Sequence, residues 1–64
     1  MALGRKLKRL RERRGLAQRT LASRAGLPVS YVGRVEAGEI TSPTVATRRK
    51  LAEALGVPIT ALLD

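Results

Sequence analysis

Apolar residues recur along this chain at helical spacing rather than at the alternation of strands. Leu3, Leu7 and Leu10 stand at i, i+4 and i+7, a stripe down one side of a helix. The spacing predicts a first helix over residues 2–14, ended by Gly15, after which Leu16 returns to the core. Leu21, Ala22 and Ala25 put small and apolar groups on one face of a second helix, which begins near Ala17 and Gln18 and ends at Ala25. Gly26 breaks that pattern where a helix C-terminus calls for a left-handed residue, a conformation glycine adopts at little cost. Pro28 cannot continue the second helix but suits the start of another. The third helix, about Val29 to Glu36, turns Val32 and Val35 inward. A loop over 37–41 follows, with Gly38 at its turn. Ser42 and Pro43 read as N-cap and first residue of a fourth helix that runs to Leu55, with Val45, Leu51, Ala52 and Leu55 inward and Gly56 as its cap. Pro58 starts a last short helix from Ile59 to Leu63.

Five short helices therefore account for nearly every residue, and the expectation is a single all-α domain over residues 1–64. Its organising unit is the helix-turn-helix stretch 18–37. Two helices joined by so tight a turn cross steeply, so the second stands out from the surface, a geometry suited to the major groove of DNA.

Charge sharpens this picture. Thirteen Lys and Arg face five Asp and Glu, a net charge of +8, which favours a polyanionic partner. Seven of those cations, Arg5, Lys6, Lys8, Arg9, Arg11, Arg13 and Arg14, surround the apolar stripe of the first helix, where each is either part of a solvated basic face or part of a phosphate-facing surface. Tyr31 is the sole aromatic residue, so the stacking platforms that bind single strands are missing and duplex DNA is favoured. With no Cys and no His, the chain lacks disulfides, thiolate nucleophiles, the commonest general base and the commonest metal ligands. No metal, cofactor, small-molecule ligand or catalytic activity is expected. No apolar run approaches the roughly 20 residues of a membrane span, and the basic N-terminus has no apolar stretch behind it to make a signal peptide, so a cytoplasmic location is expected.

Four pieces in fixed order, LKRLRERRGLAQ at 7–18, LASRAGL at 21–27, YVGRVEAGE at 31–39 and P-x-V…KLAEALGVPITALL at 43–63, together resemble the helix-turn-helix domain of the lambda/434 repressor and Cro type, also called the XRE family. The likeness extends over essentially the whole chain. It implies a five-helix, lambda-repressor-like DNA-binding fold. In that pattern Gln18 opens the second helix, touches a phosphate and braces the recognition helix; Arg19, next in the chain, and Tyr31 are further candidate DNA-binding residues. Val29, Ser30, Gly33 and Arg34 match base-facing positions, Arg11 and Glu36 match a buried ion pair, and Thr41 and Ser42 match a loop whose amides approach phosphate. Ala17 and Pro28 depart from the usual polar caps. Arg48 stands where the pattern expects Leu, so its stem is expected over the core with its head in water.

The chemistry of these positions leaves alternatives open. The fork of Arg34 matches guanine O6 and N7, but it also suits a phosphate. Ser30 pairs with several bases, and Val29 can only pack, best on a thymine methyl. Gly33 either permits close approach to DNA or reads nothing. Tyr31 either bonds a phosphate or covers the gap between the second and third helices.

The function expected is sequence-specific binding of double-stranded DNA by a transcriptional regulator, in the simplest form a repressor, acting as a homodimer on its operator. One recognition helix touches few base pairs, and two copies would read half-sites about one helical turn apart. Ile59 and Leu63 are the candidate dimer contacts, Leu63 above all because it follows Leu62 and cannot share its direction. The competing function is a protein-interaction module of the same fold, such as an antitoxin-like partner, against which the +8 charge argues.

Overall fold

The computed structural model describes residues 2–63, and among these the regular structure is all helical, with no strand. The elements are α1 (Leu3–Arg13), α2 (Gln18–Ala25), α3 (Val29–Glu36) and α4 (Val45–Leu55), followed by a short 3-10 turn, Ile59–Leu62. Leu3 and Leu7 of α1, Leu21, Ala22 and Ala25 of α2, Val32 and Val35 of α3, Leu51, Ala52 and Leu55 of α4, and Leu62 of the turn form one buried cluster. Leu10, Leu16, Tyr31 and Ile59 pack against it from partly exposed positions. The periodic stripes of the sequence thus meet in one core, as burial of apolar area demands.

Three expectations change. First, α4 begins later than Ser42–Pro43 suggests. Thr44 is the N-cap, and its Oγ1 accepts a hydrogen bond of 3.1 Å from the Thr47 amide. Pro43 is instead buried, which holds the chain extended for one more residue. Val45 then stands at the open first position of the helix and is 57% exposed rather than inward.

Second, the last helix is a single 3-10 turn. Ala61 donates to the Pro58 carbonyl at 2.9 Å, an i to i+3 bond, and Leu63 is already extended. Four α-helices and this turn replace the five helices expected.

Third, the Arg48 guanidinium does not run out to water. Nε donates to the Pro43 carbonyl at 3.1 Å and Nη1 to the Leu62 carbonyl at 2.7 Å. Arg48 lies on the same stripe of α4 as Leu51, Ala52 and Leu55, so an extended side chain there meets backbone at both ends. It ties the segment before α4 to the C-terminal turn.

Two turns follow the sequence closely. Gly26 ends α2 and Gly56 ends α4, both left-handed at φ 69° and 72°. Each is followed by a backbone bond that closes the last helical turn, Leu27 to Ala22 at 2.9 Å and Val57 to Ala52 at 3.0 Å.

A feature invisible in the apolar pattern sets how closely α1 and α3 approach. Gly4 is buried, and a Cβ placed on it would stand 2.5 Å from the Val35 carbonyl oxygen and 2.9 Å from that of Glu36. Both neighbours are backbone atoms at the end of α3, so neither yields by rotating a side chain.

Two substitutions check this architecture by urea or thermal denaturation. Gly4→Ala should lower stability by about 1–3 kcal/mol through overpacking, although helix propensity alone would raise it by about 1 kcal/mol. A stabilised Gly4→Ala protein would contradict the close approach. Thr44→Ala should cost about 1 kcal/mol for the lost cap while Ser42→Ala has little effect, and the reverse order would restore the earlier helix start.

Candidate nucleic-acid interface

The third helix has two faces with different duties. Val32 and Val35 are fully buried, whereas Val29, Ser30 and Arg34 are exposed and Gly33 is half-exposed. Positions 29, 30, 33 and 34 lie on one side of a 3.6-residue helix, so they form a continuous outward surface. No apolar burial explains an exposed Val29 at 57%, and Arg34 projects from the last turn of the same face.

The N-terminus of α2 sits beside this surface. Ala17 caps α2 without a side-chain bond, which leaves the free first-turn amides near Gln18 and Arg19, both exposed. Such a terminus attracts an anion through its amides and its dipole. The Gln18 carboxamide reaches across to α3. Its Nε2 donates to Glu36 Oε1 at 2.9 Å, and its Oε1 lies 3.3 Å from where a Gly33 Cβ would be. Gly33 therefore has a packing duty that neither reading of the sequence supplied: it lets the Gln18 side chain lie across α3.

Glu36 is the meeting point of these elements. Arg11 approaches it side-on from α1, with Nε 2.6 Å from Oε2 and Nη2 3.0 Å from Oε1. The third donor of that guanidinium, Nη1, goes to the Leu16 carbonyl at 2.6 Å, just ahead of α2. Side-chain exposure is 11% for Arg11 and 5% for Glu36. The hydrogen bond to Glu36 raises the Arg11 pKa above its ordinary value, outweighing the opposing effect of burial, so the guanidinium remains charged. One carboxylate thus joins α1, α2 and α3 at the foot of the exposed helix.

Thr41 and Ser42 are exposed in the loop after α3. Tyr31 is half-buried and packs against the core. Ile59 is half-buried against the core, whereas Leu63 is 38% exposed on the far side of the 3-10 turn. The cations of α1 are divided. Arg11 is internal, Arg14 lies over Gly56 at the end of α4, and Lys6, Arg9 and Arg13 gather on the flank beside the 3-10 turn. Of the exposed cations of α1, Lys8 and then Arg5 stand nearest by helical periodicity to Gly4, which packs on α3. Among the described residues no group of acids resembles a metal site, and no helix is long and apolar enough to cross a membrane.

Comparison with known proteins agrees with this geometry. A family model described as helix-turn-helix matches residues 7–62. The HTH-type transcriptional repressor RghR of Bacillus subtilis is 39% identical over 62 residues, 97% of this chain and 46% of that protein. The HTH-type transcriptional regulator SutR of Escherichia coli is 40% identical over 58 residues, 91% of this chain and 32% of that protein. The chain thus spans less than half the length of these two relatives. Among solved structures, the restriction-modification controller protein C.AhdI from Aeromonas hydrophila superimposes with a TM-score of 0.89 at 41% identity, covering 95% of this chain and 91% of that one.

The buried pair generates a stability test. Glu36→Ala strands the Arg11 charge and should cost about 3–5 kcal/mol, while Gln18→Ala removes one exposed bond and should cost about 1 kcal/mol or less. The double variant Arg11→Met/Glu36→Leu should be more stable than either single variant. Strictly additive losses in denaturant titrations would show that the two side chains act independently.

Proposed function

The chain belongs to the helix-turn-helix family, and from that membership we propose that it is a sequence-specific binder of double-stranded DNA that regulates transcription, reading the major groove with α3. The observation that carries this reading is the outward face of α3, Val29, Ser30, Gly33 and Arg34, exposed beside an α2 N-terminus that its N-cap residue leaves without a side-chain bond, in a chain of net charge +8. In this reading residues 1–64 act as one domain with its motif at 18–37. Arg34 donates its fork to guanine O6 and N7, Val29 packs on a thymine methyl, and Ser30 pairs adaptably. The amides at Gln18, with Arg19 and the loop residues Thr41 and Ser42, hold phosphates and set the register without reading sequence. Repression is the simplest outcome, because occupying a promoter needs no second activity; the relatives named as repressor and controller support that direction.

Two copies act on the operator. The surface one such module covers is too small for strong selectivity, and a two-fold pair reads two half-sites about one turn apart. Leu63 offers the dimer contact, with the exposed edge of Ile59 beside it. So small an apolar patch gives a monomer or weak dimer in free solution and a dimer on DNA.

Selecting bound duplexes from a random pool tests the reading, with an enriched inverted repeat as the expected result and no enrichment as the result against it. On that sequence, log Kd should change with log salt at a slope of magnitude roughly 5–7, from six to eight phosphate contacts per dimer. A magnitude below about 2 would remove phosphates as the main source of affinity. Arg34→Ala should relax preference at one position of each half-site by about 1–3 kcal/mol, whereas an equal loss for every base would reassign Arg34 to phosphate. Leu63→Glu should abolish cooperative loading of two copies, as seen by sedimentation with and without DNA; unchanged cooperativity in a folded variant would move the dimer contact elsewhere.

A further inference from the structure

The flank of α1 turned away from α3 carries a second, separate surface. There α1 and the 3-10 turn enclose an open groove lined by Lys6, Arg9, Leu10, Arg13 and Ala61. Gly4, which packs on α3, lies on the opposite side of α1 from Arg9 and Arg13 by helical periodicity. Leu10 and Ala61 give the groove an apolar floor, and among the described residues no carboxylate lines it. Lys6 is engaged, its Nζ donating to the Leu63 carbonyl at 3.0 Å, which fixes one wall to the C-terminal turn. Arg9 and Arg13 are exposed on the rim.

Two unpaired-side cations over an apolar floor define the chemistry of the occupant. A carboxylate-rich segment supplies charge to Arg9 and Arg13, and an aliphatic side chain fills the floor at Leu10 and Ala61. A duplex backbone meets only half of that description, since phosphates and sugars present nothing to replace water over the floor. This flank of α1 is turned away from α3, so in the reading proposed above, with α3 in a major groove, the two surfaces are open together. We propose that the groove between α1 and the 3-10 turn is a docking site for an acidic peptide segment with an aliphatic anchor, carried by a partner protein and bound at the same time as DNA.

The test uses the whole chain, labelled with nitrogen-15, titrated with a short blocked peptide of alternating glutamate and leucine pairs. Amide signals of Arg9, Leu10, Arg13 and Ala61 should shift while those of Val29–Arg34 stay in place. Prior saturation with the selected duplex should leave the peptide affinity unchanged. Replacing the peptide leucines by serine, or using Arg9→Glu/Arg13→Glu protein, should each weaken binding by about tenfold or more. The charge-reversed protein should regain affinity for a peptide with lysine in place of glutamate. Should that variant fold poorly, Arg9→Ser/Arg13→Ser serves for the same comparison. Shifts centred on α3 and lost when duplex is present would show the peptide mimicking DNA and overturn the proposal. So would equal binding of the serine peptide, the absence of shifts with the glutamate–leucine peptide, or groove shifts produced by the duplex itself.

Discussion

The arrangement depends on one carboxylate. Glu36 is the last residue of α3 and receives Arg11 from α1 and Gln18 from α2. Without it, α3 would be held mainly by the apolar contacts of Val32, Val35 and Tyr31, which resist sliding poorly because apolar contact has no direction. A side-on pair of hydrogen bonds does have direction. The third Arg11 donor fixes the Leu16 carbonyl, so the same guanidinium also sets where α2 begins. Gly4 completes the constraint by bringing the α1 backbone against the end of α3. Burial makes this pair expensive to break from one side, and so it fixes an orientation more than it adds stability.

Holding α3 from its inner face and its foot leaves the outer face free. That division explains why residues as different as Val29, Ser30, Gly33 and Arg34 stand together without partners in the core. Glycine at 33 is shared between the two duties, since it admits the Gln18 side chain and keeps the outer face low. The anion-attracting end of α2 is next to that face because Gln18, its first residue, is the one that reaches Glu36. The brace and the free first-turn amides thus share one residue position.

The helices were legible in the sequence wherever apolar spacing and glycine punctuation agreed. Val29–Glu36 and Gln18–Ala25 are bounded by Pro28 and Gly26, whose backbone preferences are strong, and these bounds emerged closely. Ser42 and Pro43 place the start of α4 two residues too early, because the burial of Pro43, a tertiary effect, leaves Thr44 as the N-cap. The 3-10 form of residues 59–62, with Leu63 already extended, carries no signal in the apolar spacing, which is the same for either kind of turn. Gly4 was unreadable, since a glycine inside a helix signals weakness locally and close packing only in the assembled fold. The two carbonyls that hold Arg48 are not legible in the sequence, because Pro43 and Leu62 lie 19 residues apart and only the fold brings them to one guanidinium. The outward residues of α3 and the Arg11–Glu36 partnership were accessible through the family resemblance; spacing alone offered no reason to join residues 25 positions apart.

The central claim is that the free face of α3 enters the major groove. Dimethyl sulfate protection on the selected operator addresses this directly, because the reagent methylates guanine N7 in the major groove and adenine N3 in the minor groove. The account predicts protection of guanine N7 within both half-sites, with adenine N3 in the same half-sites still reactive. Protection confined to adenine N3, with guanine N7 reactive throughout the bound site, would contradict it.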